Sequence, residues 1–238
     1  HAPQTRQWIP GDTVPLWEMP LLADSHFTLP WKDNRRPFQD VSPEDILTIV
    51  FTSGTTAFPK AVAHKISSLL GNARAFNEAM EMRPSDRFLH LFPMAYSGGF
   101  FNLLIAPYLA GASVVLTPGF GPRSVLDFWK TPMTHGVNAL WLTPSIAAAL
   151  VLADRDEAGR SWCRKNIRKA FIGTAPLHVK VKRDFEAAYG VALYESYGLS
   201  ETLLVAAVGP KTGAGEGSVG APLEGVTLSV RDGEVFIK

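Results

Sequence analysis

The chain has 238 residues, 46% hydrophobic and 19% charged, with a formal net charge of +1. This composition supports a sizeable buried core and excludes a disordered chain. The near-neutral charge gives no global footprint for nucleic acid, and the single cysteine, Cys163, excludes an internal disulfide framework and fits a reducing compartment. The six histidines are scattered without metal-ligand spacing, and no apolar run reaches membrane length. No signal peptide is evident, and an opening His in place of Met reads as a processed or partial chain. The expectation is a cytoplasmic protein with no nucleic-acid partner and no membrane span.

Residues 1–43 are punctuated by Pro10, Pro15, Pro20, Pro30 and Pro37 and read as an extended lead-in. Its aromatic residues Trp8, Trp17, Phe27 and Trp31 are available to pack on a neighbouring domain. Ser42-Pro43-Glu44-Asp45 predicts a capped turn with Pro at the first position. Ile46 to Phe51 is a short apolar, β-branched run and predicts a buried strand. It leads into Thr52-Ser53-Gly54-Thr55-Thr56-Ala57-Phe58-Pro59-Lys60. Beyond that loop, Leu69, Leu70, Ala73, Phe76 and Met80 recur at helical spacing. Further strands are expected at 88–92, 113–116, 139–142 and 170–172, with another opening at Leu193. Further helices are expected at 100–109, 125–129, 144–153 and 179–189. After Pro210, residues 211–217 form a Gly-rich turn, and Asp232-Gly233 predicts a hairpin between strands 226–230 and 234–238.

Strands alternating with helices predict an α/β fold, a mostly parallel sheet flanked by helices, with the C-terminal β-hairpin beginning a further small β subdomain. The expected domains are the lead-in at 1–43, an α/β unit at 44–210 and the start of a β subdomain at 211–238. In such sheets ligands bind beyond the carboxyl ends of the strands. The segments after Phe51, Phe92, Leu142, Ile172 and Tyr194 are expected to collect there.

A loop that holds polyphosphate needs small residues for close backbone approach, hydroxyls to donate hydrogen bonds and a cation to offset charge. Thr52, Ser53, Thr55 and Thr56 supply hydroxyls, Gly54 a permissive backbone and Lys60 the cation, in the expected order strand, loop, helix. It is not a Walker A loop, because Ala61 follows the lysine. Read alone, the segment equally suits an ordinary Ser/Thr-rich turn. A second motif, Tyr197-Gly198-Leu199-Ser200-Glu201-Thr202, offers an aromatic face, a hydroxyl and a carboxylate, the last suited to Mg²⁺ shared with phosphate.

Together these segments resemble the signatures T-S-G-T-T-G-x-P-K-G and Y-G-x-[ST]-E of the adenylate-forming (ANL) superfamily. That superfamily contains acyl-CoA synthetases, the adenylation domains of nonribosomal peptide synthetases and luciferases. The resemblance covers about residues 42–238. It implies that Thr52, Lys60, Ser200 and Glu201 are catalytic, with Glu201 holding Mg²⁺ and Ser200 bonding a phosphate oxygen. Ser53, Gly54, Thr55 and Thr56 would cradle phosphate, and Tyr197 would stack on adenine, flanked by Glu195, Ser196 and Gly198. Gly173-Thr174-Ala175-Pro176 resembles the family's G-G-A-P segment beside the adenine and the acyl group, and 217–222 resembles its G-x-x-G-x-P stretch. Pro93 to Gly99 resembles the segment carrying a gate beside the acyl pocket, with Tyr96 at the usual His position. Tyr96, Gly99 and Phe100 are its expected pocket residues, while Phe101 and Trp141 are equally placed as wall or core.

The resemblance implies ATP-dependent activation of a carboxylic acid as an acyl-adenylate, followed by thioester formation with CoA or a carrier-protein thiol. It also implies that the ribose-binding Asp, the C-terminal domain with its catalytic Lys and the amino-terminal subdomain are not in this chain. On that reading the chain is the central part of the large domain and does not turn over alone. Ala57 and Ala61 stand where the family has glycine, which leaves two other readings open: a non-adenylating relative that uses preformed acyl-adenylate, and a non-catalytic nucleotide-binding module.

Overall fold

Short apolar and aromatic runs alternating with one-sided apolar stretches build a layered α/β unit. The computed structural model describes residues 41–52, 60–210 and 217–238, and residues 42–238 fall in one compact unit. The proline-rich lead-in, the loop tip Ser53–Pro59 and the turn 211–216 lie outside the described residues.

The expected capped turn is present, with Ser42 Oγ accepting from Glu44 N at 3.2 Å. The next two elements differ from the sequence expectation. β1 (Ile46–Thr52) and β2 (Lys60–Lys65) form a separate antiparallel hairpin, so the order is strand, loop, strand, helix rather than strand, loop, helix. β1 is also not buried: Ile46, Ile49 and Phe51 are 58%, 54% and 67% exposed. A two-stranded ribbon outside the main sheet has few neighbours to cover its apolar side chains, and composition alone does not reveal that.

After the hairpin comes α1 (Ile66–Ala79), burying Leu69, Ala73 and Phe76. The main sheet has seven strands in the order β4 (Ser113–Leu116), β3 (Arg87–His90), β5 (Ala139–Leu142), β6 (Lys169–Ile172), β7 (Leu193–Leu199), β8 (Leu203–Ala207) and β9 (Ala221–Pro222). The first five are mutually parallel and the last two pair antiparallel. The mostly parallel sheet expected from the sequence is therefore present. Phe51 is not part of it, while the segments after β3, β5 and β6 and the end of β7 do share its carboxyl edge, the residues just after Tyr194 continuing as strand.

β3 leads into a π-helix (Gly98–Ile105) that runs on as α2 (Ala106–Leu109). The helix expected at 125–129 is instead a 3₁₀ turn (Pro122–Val125), and α3 (Lys130–His135) starts after it. The Val-Leu-Asp-Phe-Trp run is poor in strong helix formers, and Phe128 and Trp129 are buried. α4 (Pro144–Ala153) is capped by Thr143, whose hydroxyl accepts from Ile146 N at 3.1 Å. α5 (Glu157–Asn166), not expected from the sequence, is capped by Asp156, and α6 (Val179–Tyr189) ends at Gly190 in the left-handed region. The terminal hairpin of β10 (Leu228–Arg231) and β11 (Glu234–Ile237) turns at Asp232 and Gly233, both with positive φ.

Aromatic packing locks α1 to the sheet. Phe76 stacks on Trp141 at 4.9 Å between centroids, and Phe171 meets both rings edge-on at 5.5 and 5.2 Å. Trp141 is fully buried and belongs to the core, whereas Phe101 is nearly buried and also lines the two clefts of the candidate site. Among the described residues, no helix is long and apolar enough to cross a membrane.

Candidate functional site

Two clefts meet at the end of the β1–β2 hairpin. The first, of about 530 Å³, runs between β1 and the Met94–Ser97 turn. The second, of about 370 Å³, runs between the π-helix and the end of β7. Thr52, Tyr96, Ser97, Phe101, Ser200 and Leu203 line both. Their volumes suit small-molecule sites. Of the other predicted site residues, Thr174, Ser196, Gly198 and Glu201 line the second cleft, and Phe100 the first.

Local structure explains which residues arrive there. Thr52 and Lys60 are register partners across the hairpin, so the two ends of the Ser/Thr-rich loop stand side by side. Ser53, Gly54, Thr55, Thr56 and Ala57 lie outside the described residues. Ala61 pairs with Phe51 in regular strand and does not have positive φ, so an alanine is accommodated there without strain.

Side chains alternate along a strand. In β7, Ser196 and Gly198 line the second cleft, while Glu195 and Tyr197 line neither. Glu195 is buried, and its carboxylate accepts from Lys182 of α6 at 3.1 Å. Tyr197 is half-buried. Gly173, at the end of β6, donates its backbone N–H to Leu142 O at 3.3 Å. Neither Gly173, Ala175 nor Pro176 lines either cleft. Gly99 also lies off the lining, beneath the Tyr96 turn.

Two contacts not anticipated from sequence set the Ser200–Glu201 loop. His64 of β2 is buried, and its Nε2 lies 2.7 Å from Ser200 O. A carbonyl only accepts, so Nε2 carries the proton and donates. Asn72 of α1 grips β8 twice, donating to Leu204 O at 2.6 Å and accepting from Leu204 N at 3.1 Å. The hairpin and α1 thereby fix both sides of the loop. Glu201 is exposed on it, and among the described residues no hydrogen bond or ion pair engages its carboxylate.

Thr174 has φ of 76°, a left-handed conformation that costs a β-branched residue roughly 1–2 kcal/mol. Thr174→Gly is therefore expected to raise stability by about 0.5–1 kcal/mol after the flexibility gained by the unfolded chain is subtracted. Denaturant unfolding measures it, and a destabilised variant would show that the threonine side chain contributes more than its backbone strain costs.

The AMP-binding enzyme family matches residues 6–235. The chain belongs to that family. Among its relatives, the malonate–CoA ligase of Arabidopsis thaliana is 29% identical over 204 residues, covering 80% of this chain and 33% of that protein. The mitochondrial malonate–CoA ligase of Homo sapiens is 30% identical over 192 residues, covering 76% of this chain and 33% of that protein. The crystal structure of ATP-bound MatB from Rhodopseudomonas palustris superposes with a TM-score of 0.71 at 26% identity, covering 81% of this chain and 37% of that one. The chain spans about a third of the length of the curated relatives it matches. Membership of the AMP-binding family agrees with the mostly parallel sheet and with the clefts at its carboxyl edge.

Proposed function

We propose that this chain forms the nucleotide- and acyl-binding part of an acid–thiol ligase. In that reaction a carboxylate oxygen attacks the α-phosphorus of ATP, forming an acyl-adenylate and releasing pyrophosphate. The thiol of CoA, or of a carrier protein, then attacks the acyl carbon and AMP leaves. The supporting observation is convergence: Thr52, Tyr96, Thr174, Ser200 and Glu201, from four segments distant in sequence, line one pair of joined clefts.

On this reading the hydroxyls of Thr52 and Ser200 donate to phosphate oxygens, and Lys60 and the loop Ser53–Thr56 offset and cradle the charge. Catalysis is then mainly positioning and electrostatic stabilisation. Tyr197 lines neither cleft but lies between the lining residues Ser196 and Gly198, and its half-buried ring would stack on adenine only at the edge of the second cleft. The described residues contain no cluster of three or more metal-binding side chains. A lone unengaged carboxylate suits Mg²⁺, which keeps several waters and shares its remaining ligands with phosphate. Glu201 would hold the ion, and the ion would neutralise charge on the phosphates. The buried thiol of Cys163, its pKa pushed up to about 12 by burial, takes no part and is consistent with a reducing compartment such as the cytoplasm.

The reading of a relative that no longer adenylates draws no support from Ala61, whose strand conformation suits alanine. Calorimetry tests the proposal. The chain is expected to bind ATP in the presence of Mg²⁺, and Glu201→Gln to weaken that binding about tenfold or more. With the metal chelated, the two proteins are expected to bind alike. A chain that binds neither ATP nor AMP would contradict it.

A further inference from the structure

Asn102 sits within the π-helix and lines the second cleft. Only 8% of it is exposed, yet its carboxamide makes no hydrogen bond to any described residue. The fully enclosed side-chain atoms that lack partners are Asn77 Oδ1 and Trp141 Nε1. The Asn102 amide atoms are not among them, so the little accessibility they keep opens on the cleft. A buried carboxamide without protein partners is costly unless something else satisfies it. π-Helical turns, moreover, often mark sites where a side chain is presented to a ligand.

The surrounding wall sets the chemistry. Phe101, Leu203 and Leu204 are apolar and nearly buried, and among the described residues no Lys or Arg lines either cleft. A second carboxylate on the acid therefore has no lining Lys or Arg among the described residues placed to pair with it. A plain hydrocarbon chain would leave the carboxamide unpaired.

We propose that Asn102 recognises a neutral hydrogen-bonding group on the acyl chain, a hydroxyl, carbonyl or amide, favouring such acids over hydrocarbon acids and over dicarboxylates. This rests on the reading of the clefts as an acyl-adenylate site. It departs from the malonate named for the relatives.

The test uses adenosine acyl-sulfamates, stable mimics of acyl-adenylates, titrated calorimetrically into the chain. One series carries a hydroxyl on the third, fourth or fifth acyl carbon, a second carries methyl at the same places, and a third is malonyl. For at least one position the hydroxyl mimic is expected to bind about tenfold more tightly than its methyl counterpart. Asn102→Leu is expected to abolish that preference, and Asn102→Ala, a smaller truncation, to do the same. Absence of any hydroxyl preference, its survival in both variants, or tightest binding of the malonyl mimic would overturn the inference alone. Failure of every mimic and of AMP to bind would overturn the proposed function and the inference with it.

Discussion

Asp154→Ala is expected to destabilise the α/β unit by about 3–5 kcal/mol in denaturant unfolding, the usual cost of breaking a buried, hydrogen-bonded ion pair. Asp154 is 1% exposed and joins three helices. Oδ1 accepts from Asp156 N at 2.8 Å, and Oδ2 accepts from Tyr189 Oη at 2.7 Å, Trp129 Nε1 at 3.1 Å and Arg160 Nε at 3.5 Å. Burial pushes its carboxyl upward. The hydrogen bonds from Asp156, Tyr189 and Trp129 and the charge of Arg160 together outweigh burial and hold it below its ordinary value. The charged form therefore contributes stability that is complete above the ordinary carboxylate pKa of about 3.9 and is lost as pH falls through the lower native value. The stability gap between wild type and Asp154→Asn is expected to narrow in acid. A gap independent of pH would show that the charge contributes nothing. Neither Asp154 nor its partners line the clefts, so AMP affinity of the folded variant should be unchanged.

Gly99→Ala is the second large effect, and it reaches the site. A Cβ at Gly99 would lie 2.1 Å from Pro93 O and 2.8 Å from Pro93 C, both backbone atoms. No rotamer relieves that contact. The turn it invades is tightly tied: Tyr96 N donates to Pro93 O at 3.0 Å, Gly99 N and Phe100 N both donate to Tyr96 O, and buried His90 holds Gly99 O at 3.1 Å. Alanine must open this turn and carry Tyr96 away from both clefts. The expected result is a loss of roughly 3 kcal/mol or more in stability, in the range of severe overpacking, together with loss of acyl-adenylate-mimic binding. A folded variant with unaltered mimic affinity would show that the Tyr96 turn is not part of the site.

What can be read from the sequence divides along physical lines. Most of the parallel strands are legible because each is a compact apolar or aromatic run, and α4 and α6 because a cap or a terminal glycine marks them. β2 escapes notice although Val62 and His64 alternate inward, because a phosphate-loop reading runs directly on to the next amphipathic helix. α5 is hidden because it buries only Gly159 and Cys163, too little for a stripe. The apolar run of β8 is visible but has no turn signal tying it back to β7. The exposure of β1 depends on pairing outside the main sheet, which no local pattern encodes.

The site obeys the same division. The hydroxyls of Thr52 and Ser200 and the carboxylate of Glu201, which line the clefts, are legible from residue type and short motif. His64 and Asn72 are not, since their roles come from backbone atoms 136 and 132 positions away. Asn102 lies in an apolar segment where a single amide reads as incidental until its burial and lack of partners are seen. Glu195 and Tyr197 belong to the same motif as Ser196 and Gly198 but do not line the clefts with them, a difference set by strand geometry that a motif does not display.

The most direct measurement is a crystal structure of the chain with an adenosine acyl-sulfamate at saturating concentration. The expected result places the sulfamate, standing in for the α-phosphate, between Thr52 and Ser200, with the acyl group directed toward Tyr96 and Asn102. A ligand bound elsewhere, for instance in the smaller cavity of about 190 Å³ beside Leu91 and Phe120, or a saturated crystal with both clefts empty, would contradict it.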